Sequence, residues 1–265
     1  DNKGQKCKWV IRNTRSSVEP FLTYSTRRDL REKVWRMFAM RGDSTGKHDN
    51  KPVINEILSL RAERASLLGF ASHAHWKTDD SMAKTPDAAM ALMRKVWPAA
   101  LDRAREEIAG MQEVADAENA GHKIAAWDYR HFAEKVRKAK YDFDQNEIKA
   151  YLQLEKMCEA MFWVAHQLFD LNFAEVSGVP VYHPDLRVFQ VTRNGERVGL
   201  FYFDPFARDG KRSGAWMSEY RTQEMFRATI TPIVSNNSNY VKGEAGKPVL
   251  ISWDDAKTLF HEFGH

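Results

Sequence analysis

Cysteine is nearly absent: two in 265 residues, Cys7 and Cys158, far apart and in no Cys-x-x-Cys pair. That excludes a disulfide framework and a cysteine-built zinc knuckle. It fits a reducing compartment, so a cytoplasmic location is expected, or a periplasmic one if a signal peptide has been removed. Long apolar runs are missing too. No stretch approaches the roughly eighteen residues needed to cross a bilayer, and the amino end, DNKGQKCKWV, has no apolar signal core. It also has no initiator methionine, so the chain is expected to begin inside a longer gene product. A block of one charge is lacking: forty Lys plus Arg against thirty-six Asp plus Glu give a formal +4, with the signs interleaved. Stretches such as STRRDLREK and EKVRKAK read as solvated helix faces, and neither a nucleic acid nor a membrane is expected as a partner. The Gly-containing loops RDGKRSGAW and VKGEAGKP lack the GxGxxG and GxxxxGK[ST] spacings, so no phosphate cradle is indicated. STGK at Ser44 and SMAK at Ser81 have the Ser-x-x-Lys spacing, but no Ser-Asp-Asn or Lys-Thr-Gly follows, and both read as loop or helix-end residues. Internal repeats and low-complexity tracts are absent as well.

What is present is apolar material at regular spacing. With 43% hydrophobic and 12% aromatic residues the chain can build a packed core. From about Ser25 to Leu171, apolar residues recur three and four apart in LREKVWRMFAM, VINEILSLRAERASLLGF, AAMALMRKVWPAALDRAREEIAGM and EIKAYLQLEKMCEAMFWVAHQLFDL, which predicts helices. Thr85-Pro86 reads as a cap with a first-turn proline, and Asp144 with Glu147 as a capping-box-like start. Gly42, Gly110 and Gly121 fall where helices should stop. After Val176 the texture changes. RVFQV and VGLFYFDPF predict two strands joined at Asn194-Gly195, and ATITPIVS and PVLISW two more, before a last helix starting near Ser252 or Asp254. The expected division is a helical part, 1–175, followed by a mixed part, 176–265.

That last helix ends in HEFGH. His261 and His265, four apart, lie on one helix face with Cβ atoms about 5–6 Å apart, close enough for their imidazoles to converge on one cation. A zinc ion takes nitrogens at roughly 2.0–2.1 Å in a tetrahedron, and such a pair supplies two corners. Glu262, rotated about 100° around the axis, is placed to reach a water on the metal and not the metal itself. Ala256, Leu259, Phe260 and Phe263 form one apolar stripe, with His261 and His265 nearly opposite, beside Asp254 and Thr258. The plainer reading is a solvated His-Glu-His face. The remaining histidines carry less. His73 and His75, two apart, point to different sides of a helix and read as packing residues; His131, His166 and His183 are isolated. Asn236-Asn237-Ser238 matches a glycosylation acceptor, relevant only in a secreted eukaryotic protein.

The terminal LISWDDAKTLFHEFGH is similar to the zinc-helix signature of the thimet-oligopeptidase-like (M3) metallopeptidases, and its WDD variant resembles the peptidyl-dipeptidase branch. LRAERASLLGFASHAHWKTDDSMAKTP, WDYRHFAEKVRKAKYDFD, PVYHPDLRVFQV and FYFDPFARDGKRSGAWM resemble family segments in family order, so the likeness spans essentially the whole chain. The resemblance implies a mainly α, zincin-like, two-lobed body around a deep substrate channel, with a small β-sheet next to the zinc helix. It implies His261 and His265 as zinc ligands, Glu262 as general base, and a third ligand, a glutamate, outside this chain. Cobalt or manganese also suits such ligands. The chain resembles the middle of a family member, with family sequence missing at both ends and the rest expected on a second polypeptide; alone it would be incomplete and inactive. The expected substrates are oligopeptides, cut to release carboxy-terminal dipeptides. An endo-acting oligopeptidase of the same family and a non-catalytic helical scaffold are the alternatives. Substrate backbone would add to the sheet edge at Gly214-Ala215 or Asn236 to Asn239, residues that read equally as turns.

Overall fold

The computed structural model describes residues 10–43, 45–141, 145–244 and 246–265. The chain forms two compact units: Asp1–Asn13 with Ser17–Tyr141, and Thr14–Ser16 with Asp142–His265. The change of texture after Glu175 and this division are different boundaries, because the helix Leu154–Phe169 belongs with the sheet that follows it. Cys7, the proposed Asp144 cap and Ser44 lie outside the described residues.

The first unit contains helices only among its described elements: α1 (Arg15–Tyr24), α2 (Arg28–Ala39), α3 (Lys51–Leu67), α4 (His73–Thr78), α5 (Pro86–Ala117) and α6 (Tyr129–Tyr141). The Thr85 hydroxyl accepts from the Ala88 amide at 3.2 Å, so α5 starts where the Thr-Pro signal puts it. It does not stop at Gly110. The helix continues to Ala117 and ends at Asn119, which takes a left-handed φ of 56°. Gly110 carries no positive φ and lies in open space, so nothing there forces a break. Two small apolar clusters hold the unit. Val18, Leu22 and Val34 join α1 to α2, and Met111, Ala115 and Phe132 join α5 to α6. A buried ionic knot adds to them: Asp128, fully buried, accepts from Arg31 at 2.8 Å, from Arg28 at 2.9 Å and from the Ala125 amide at 3.1 Å. Burial pushes its carboxyl up, but the hydrogen bonds from Arg28 and Arg31 outweigh that and hold it below the ordinary aspartate value.

The second unit pairs helices with a sheet. After α7 (Gln145–Lys149) and α8 (Leu154–Phe169) come β1 (Leu171–Glu175), β2 (Arg187–Arg193), β3 (Glu196–Phe206), β4 (Trp216–Arg221) and β5 (Ile233–Tyr240), then α9 (Trp253–Gly264). The run expected as one helix from Glu147 breaks before Leu154, and β1 falls in a stretch assigned to the helical part. The hairpin between β2 and β3 turns at Asn194-Gly195, both at positive φ, 52° and 82°, as a primed two-residue turn requires. Strand order is β1-β2-β3-β5-β4, with β3 and β5 parallel and the other pairs antiparallel. Gly199 permits the approach of β3 to the segment before β5, since a Cβ there would meet the Pro232 carbonyl at 2.8 Å.

Two expected strands come out differently. In ATITPIVS only the residues from Ile233 enter a strand, and PVLISW forms a single bridge, Leu250 to Gln153. That short pairing has a use. Leu154 donates to the Val249 carbonyl and Ile251 to the Leu152 carbonyl, so the starts of α8 and α9 lie side by side. The core is continuous across α8, the sheet and α9, through Leu154, Met161, Phe201, Phe203, Ile251 and Leu259. Among the described residues no helix is long and apolar enough to cross a membrane.

Candidate metal centre

Helix α9 is fixed at both ends. At its start the Ser252 hydroxyl accepts from the Asp255 amide at 3.1 Å, while the Asp255 carboxylate accepts from the Ser252 amide at 3.0 Å, a reciprocal capping box. Ala256 and Leu259 are buried, and Phe260 and Phe263 pack against the same core, which places the expected apolar stripe. Phe263 reaches three rings, Phe201 at 5.5 Å, Phe173 at 5.7 Å and Phe162 at 6.2 Å between centroids. Those rings come from β3, β1 and α8, so the last turn is held by an aromatic cluster spanning the unit.

This anchoring turns the histidines outward. His261 and His265 are exposed, Glu262 is half-buried, and His261 lies at the rim of an open groove lined by Met157, Trp253 and Phe260. The two imidazoles meet. Their Nε2 atoms are 3.2 Å apart, with the rings at 88° to each other. Two nitrogens at about 2.05 Å from one cation, at a tetrahedral angle, stand about 3.3 Å apart. The observed separation is within about 0.2 Å of that, so the pair fits two corners of a zinc site, and it is also the length of an N–H···N hydrogen bond between the two rings. No cluster of three or more His, Cys, Asp or Glu suited to a metal exists among the described residues.

Gly214 and Ala215 lie directly before β4, one of the two edge strands of the sheet, and Gly214 adopts a left-handed φ of 96°. Asn236 and Asn239 lie in β5, which runs between β3 and β4, with the β4 pairing reaching from Ile233 to Asn237. This corrects the expectation of strand addition at Asn236 and Asn237, which have strand partners on both sides. Asn236 is 2% exposed and pairs with Phe203 on one side and Met217 on the other, so its backbone is already bonded. The same burial leaves no room for a glycan at Asn236. The edges of the sheet are β1 and β4, and α9 packs against β4 and β5.

Sequence reasoning passed over Asp204 and its neighbours. Asp204, 1% exposed on β3, accepts from Arg208 at 2.6 and 2.8 Å, from Lys211 at 3.0 Å and from the Tyr182 hydroxyl at 3.1 Å. Burial raises its carboxyl, yet the hydrogen bonds from Arg208 and Lys211 win and hold it below the ordinary value. Lys211 also donates to the carbonyls of Asp204 and Phe206, both at 2.9 Å, tying down the loop that leads to Gly214. An acid followed by bases four and seven residues on was the only available signal. Cys158 is buried on α8, where burial pushes its thiol up to about 12, so it is a packing residue. The remaining histidines are local: His75 bonds Ser72, His183 accepts from the Asp185 amide, and His73 lies 3.5 Å from Arg64.

With this geometry established, the sequence comparisons decide the family. The model of Peptidase family M3 matches residues 21–265. The chain belongs to peptidase family M3. This M3 chain is 42% identical over 265 residues to the dipeptidyl carboxypeptidase of Escherichia coli (strain K12), covering 99% of the chain and 39% of that protein. It is 34% identical over 257 residues to oligopeptidase A of Salmonella typhimurium, covering 94% of the chain and 38% of that protein. A probable cytosolic oligopeptidase A of Arabidopsis thaliana is 33% identical over 267 residues, with 97% and 38% covered. The chain thus spans about two fifths of the length of the relatives it matches. Its helix-rich make-up with a small mixed sheet is the part of the expected architecture seen directly.

Proposed function

We propose that the polypeptide carrying this chain is a zinc-dependent peptidase of the zincin type that removes dipeptides from the carboxy end of oligopeptides. The observation carrying the reading is the 3.2 Å approach of the His261 and His265 Nε2 atoms on an anchored helix. The match to family M3, and to a relative named for dipeptidyl carboxypeptidase activity, supports it. His261 and His265 hold the metal, together with a glutamate outside this chain. Bound there, zinc supplies a Lewis acid that polarises a carbonyl and makes water more acidic. Glu262 does the proton work: its carboxylate takes a proton from the attacking water and returns it to the leaving amine. The two-lobed body with a deep channel, and the partner segment that completes it, belong to the same proposal. The scarcity of cysteine favours the cytoplasm, with the periplasm as the alternative.

In the complete protein, Glu262→Gln should lower peptide hydrolysis by about 10²–10⁴-fold while metal content holds. Unchanged turnover would leave only a helical scaffold. The oligopeptidase A relatives favour a second reading, internal cleavage. Amidating a substrate's carboxy terminus distinguishes the two, because a dipeptide-releasing enzyme stalls on the amide and an endopeptidase does not.

A further inference from the structure

The entry to β4 is shaped by side chains of the strand beside it. Asn239 Nδ2 donates to the carbonyls of Arg212 at 2.8 Å and Gly214 at 2.7 Å, and Asn237 Nδ2 donates to the carbonyl of Trp216 at 3.2 Å. Three alternate carbonyls are therefore drawn inward, toward β5. Asn237 is itself fixed: it is 2% exposed, its Nδ2 donates to the Ser235 hydroxyl at 3.1 Å, and its Oδ1 accepts from Tyr182 at 3.3 Å. Tyr182 also donates to Asp204, whose cation partners hold the first half of the same loop. Gly214, at a left-handed φ of 96°, turns the chain into β4, and the two asparagines hold that turn against β5.

We propose that Asn239 and Asn237 are positioning residues for peptide binding: by capturing the carbonyls of Arg212, Gly214 and Trp216 they hold the entry of β4 in place, so that the outer edge of this strand is ready for the backbone of an extended substrate. This rests on the peptidase reading and adds how its substrate strand is received. Without the Asn239 donor the stretch from Arg212 to Ala215 loses its tie, and a peptide must order it on binding, which weakens binding without touching the reacting groups.

The test uses the complete protein with Glu262→Gln, so that binding is read without turnover, and an acetylated penta-alanine with a free carboxylate as the calorimetric probe. Asn239, half-buried, is varied in preference to Asn237, and thermal melting checks that the variant folds. Adding Asn239→Ala should raise Kd by about tenfold or more. A set of probes methylated in turn at each backbone N–H supplies the second readout. At least one should bind about tenfold worse to the Glu262→Gln protein yet lose less than about twofold in the double variant, because the same contact has already been lost. A merely structural asparagine would lower the melting temperature and leave the methylation penalty intact, which would overturn the proposal. An unchanged Kd in the double variant would also overturn it, with the peptidase reading untouched. Failure of the Glu262→Gln protein to bind any probe would remove that reading, and this one with it.

Discussion

Among the described residues each unit contains one deeply buried aspartate between two cations, and the two knots are tied over very different spans. Asp128 draws in Arg28 and Arg31, about a hundred positions earlier, whereas Asp204 draws in Arg208 and Lys211, four and seven positions later. The surroundings differ in parallel. The second unit has a continuous core threaded by phenylalanines, while the first rests on two clusters of three buried residues each. In the first unit the α3 residues Val53, Ile54, Leu58 and Leu60 are more than half exposed, as are Leu92, Val96 and Trp97 of α5. Around α9 the packing is dense, and in the first unit a long-range ionic knot ties α2 to the segment before α6. In the first unit the knot determines which elements meet; in the second it shapes a loop on a sheet that already holds together.

Breaking the knots should expose that difference. Asp128→Ala strands the buried Arg31 guanidinium, and about 3–5 kcal/mol of stability should be lost from the first unit, seen as loss of amide-exchange protection in α2 and α6. Leu259→Ala empties a fully buried position of α9 and should cost about 3 kcal/mol in the second unit, with protection in α2 unchanged. Equal loss in both units from either change would erase the contrast drawn here.

Ser252→Ala removes the α9 cap and should cost about 1 kcal/mol, read by chemical denaturation, with fraying confined to the first turn of that helix. The smallest effect sharpens the comparison by pH. His131, buried in the first unit, donates from Nδ1 to the Thr23 carbonyl, and burial, then nearby Arg31 and Lys135, lower its pKa from the ordinary 6.5 despite that bond. With a depressed folded value, its contribution is complete above pH 6.5 and is lost as pH falls below it, because the unfolded chain takes up the proton first. Denaturant midpoints at pH 7.5 and 5.5 should differ, and His131→Gln should shrink the difference.

The reactive helix was the most legible element. Its cap, its stripe and the outward turn of His261 and His265 follow from i, i+3 and i+4 spacing alone, and the structure places each where the spacing puts it. The β2–β3 hairpin was equally open to reading, because Asn-Gly leaves little choice of turn. β5 was not. VSNNSN looks like a turn, yet Ser235, Asn236, Asn237 and Ser238 are buried in a strand, and Asn237 spends its amide on a neighbouring backbone carbonyl and side chains. Propensity scales cannot anticipate polar residues whose partners lie twenty positions away. Spacing was silent on a third metal donor, since two histidines on one helix turn specify only two corners, and the expectation of a glutamate outside this chain came from the family resemblance alone.

The most direct test of the account is X-ray absorption at the zinc edge on the complete protein, with His261→Ala and His265→Ala beside it. One zinc per molecule, two imidazole nitrogens at about 2.0–2.1 Å and loss of bound zinc in each variant are the expected results. Full zinc occupancy with an unchanged imidazole signal in either variant would contradict the claim that these two histidines hold the metal.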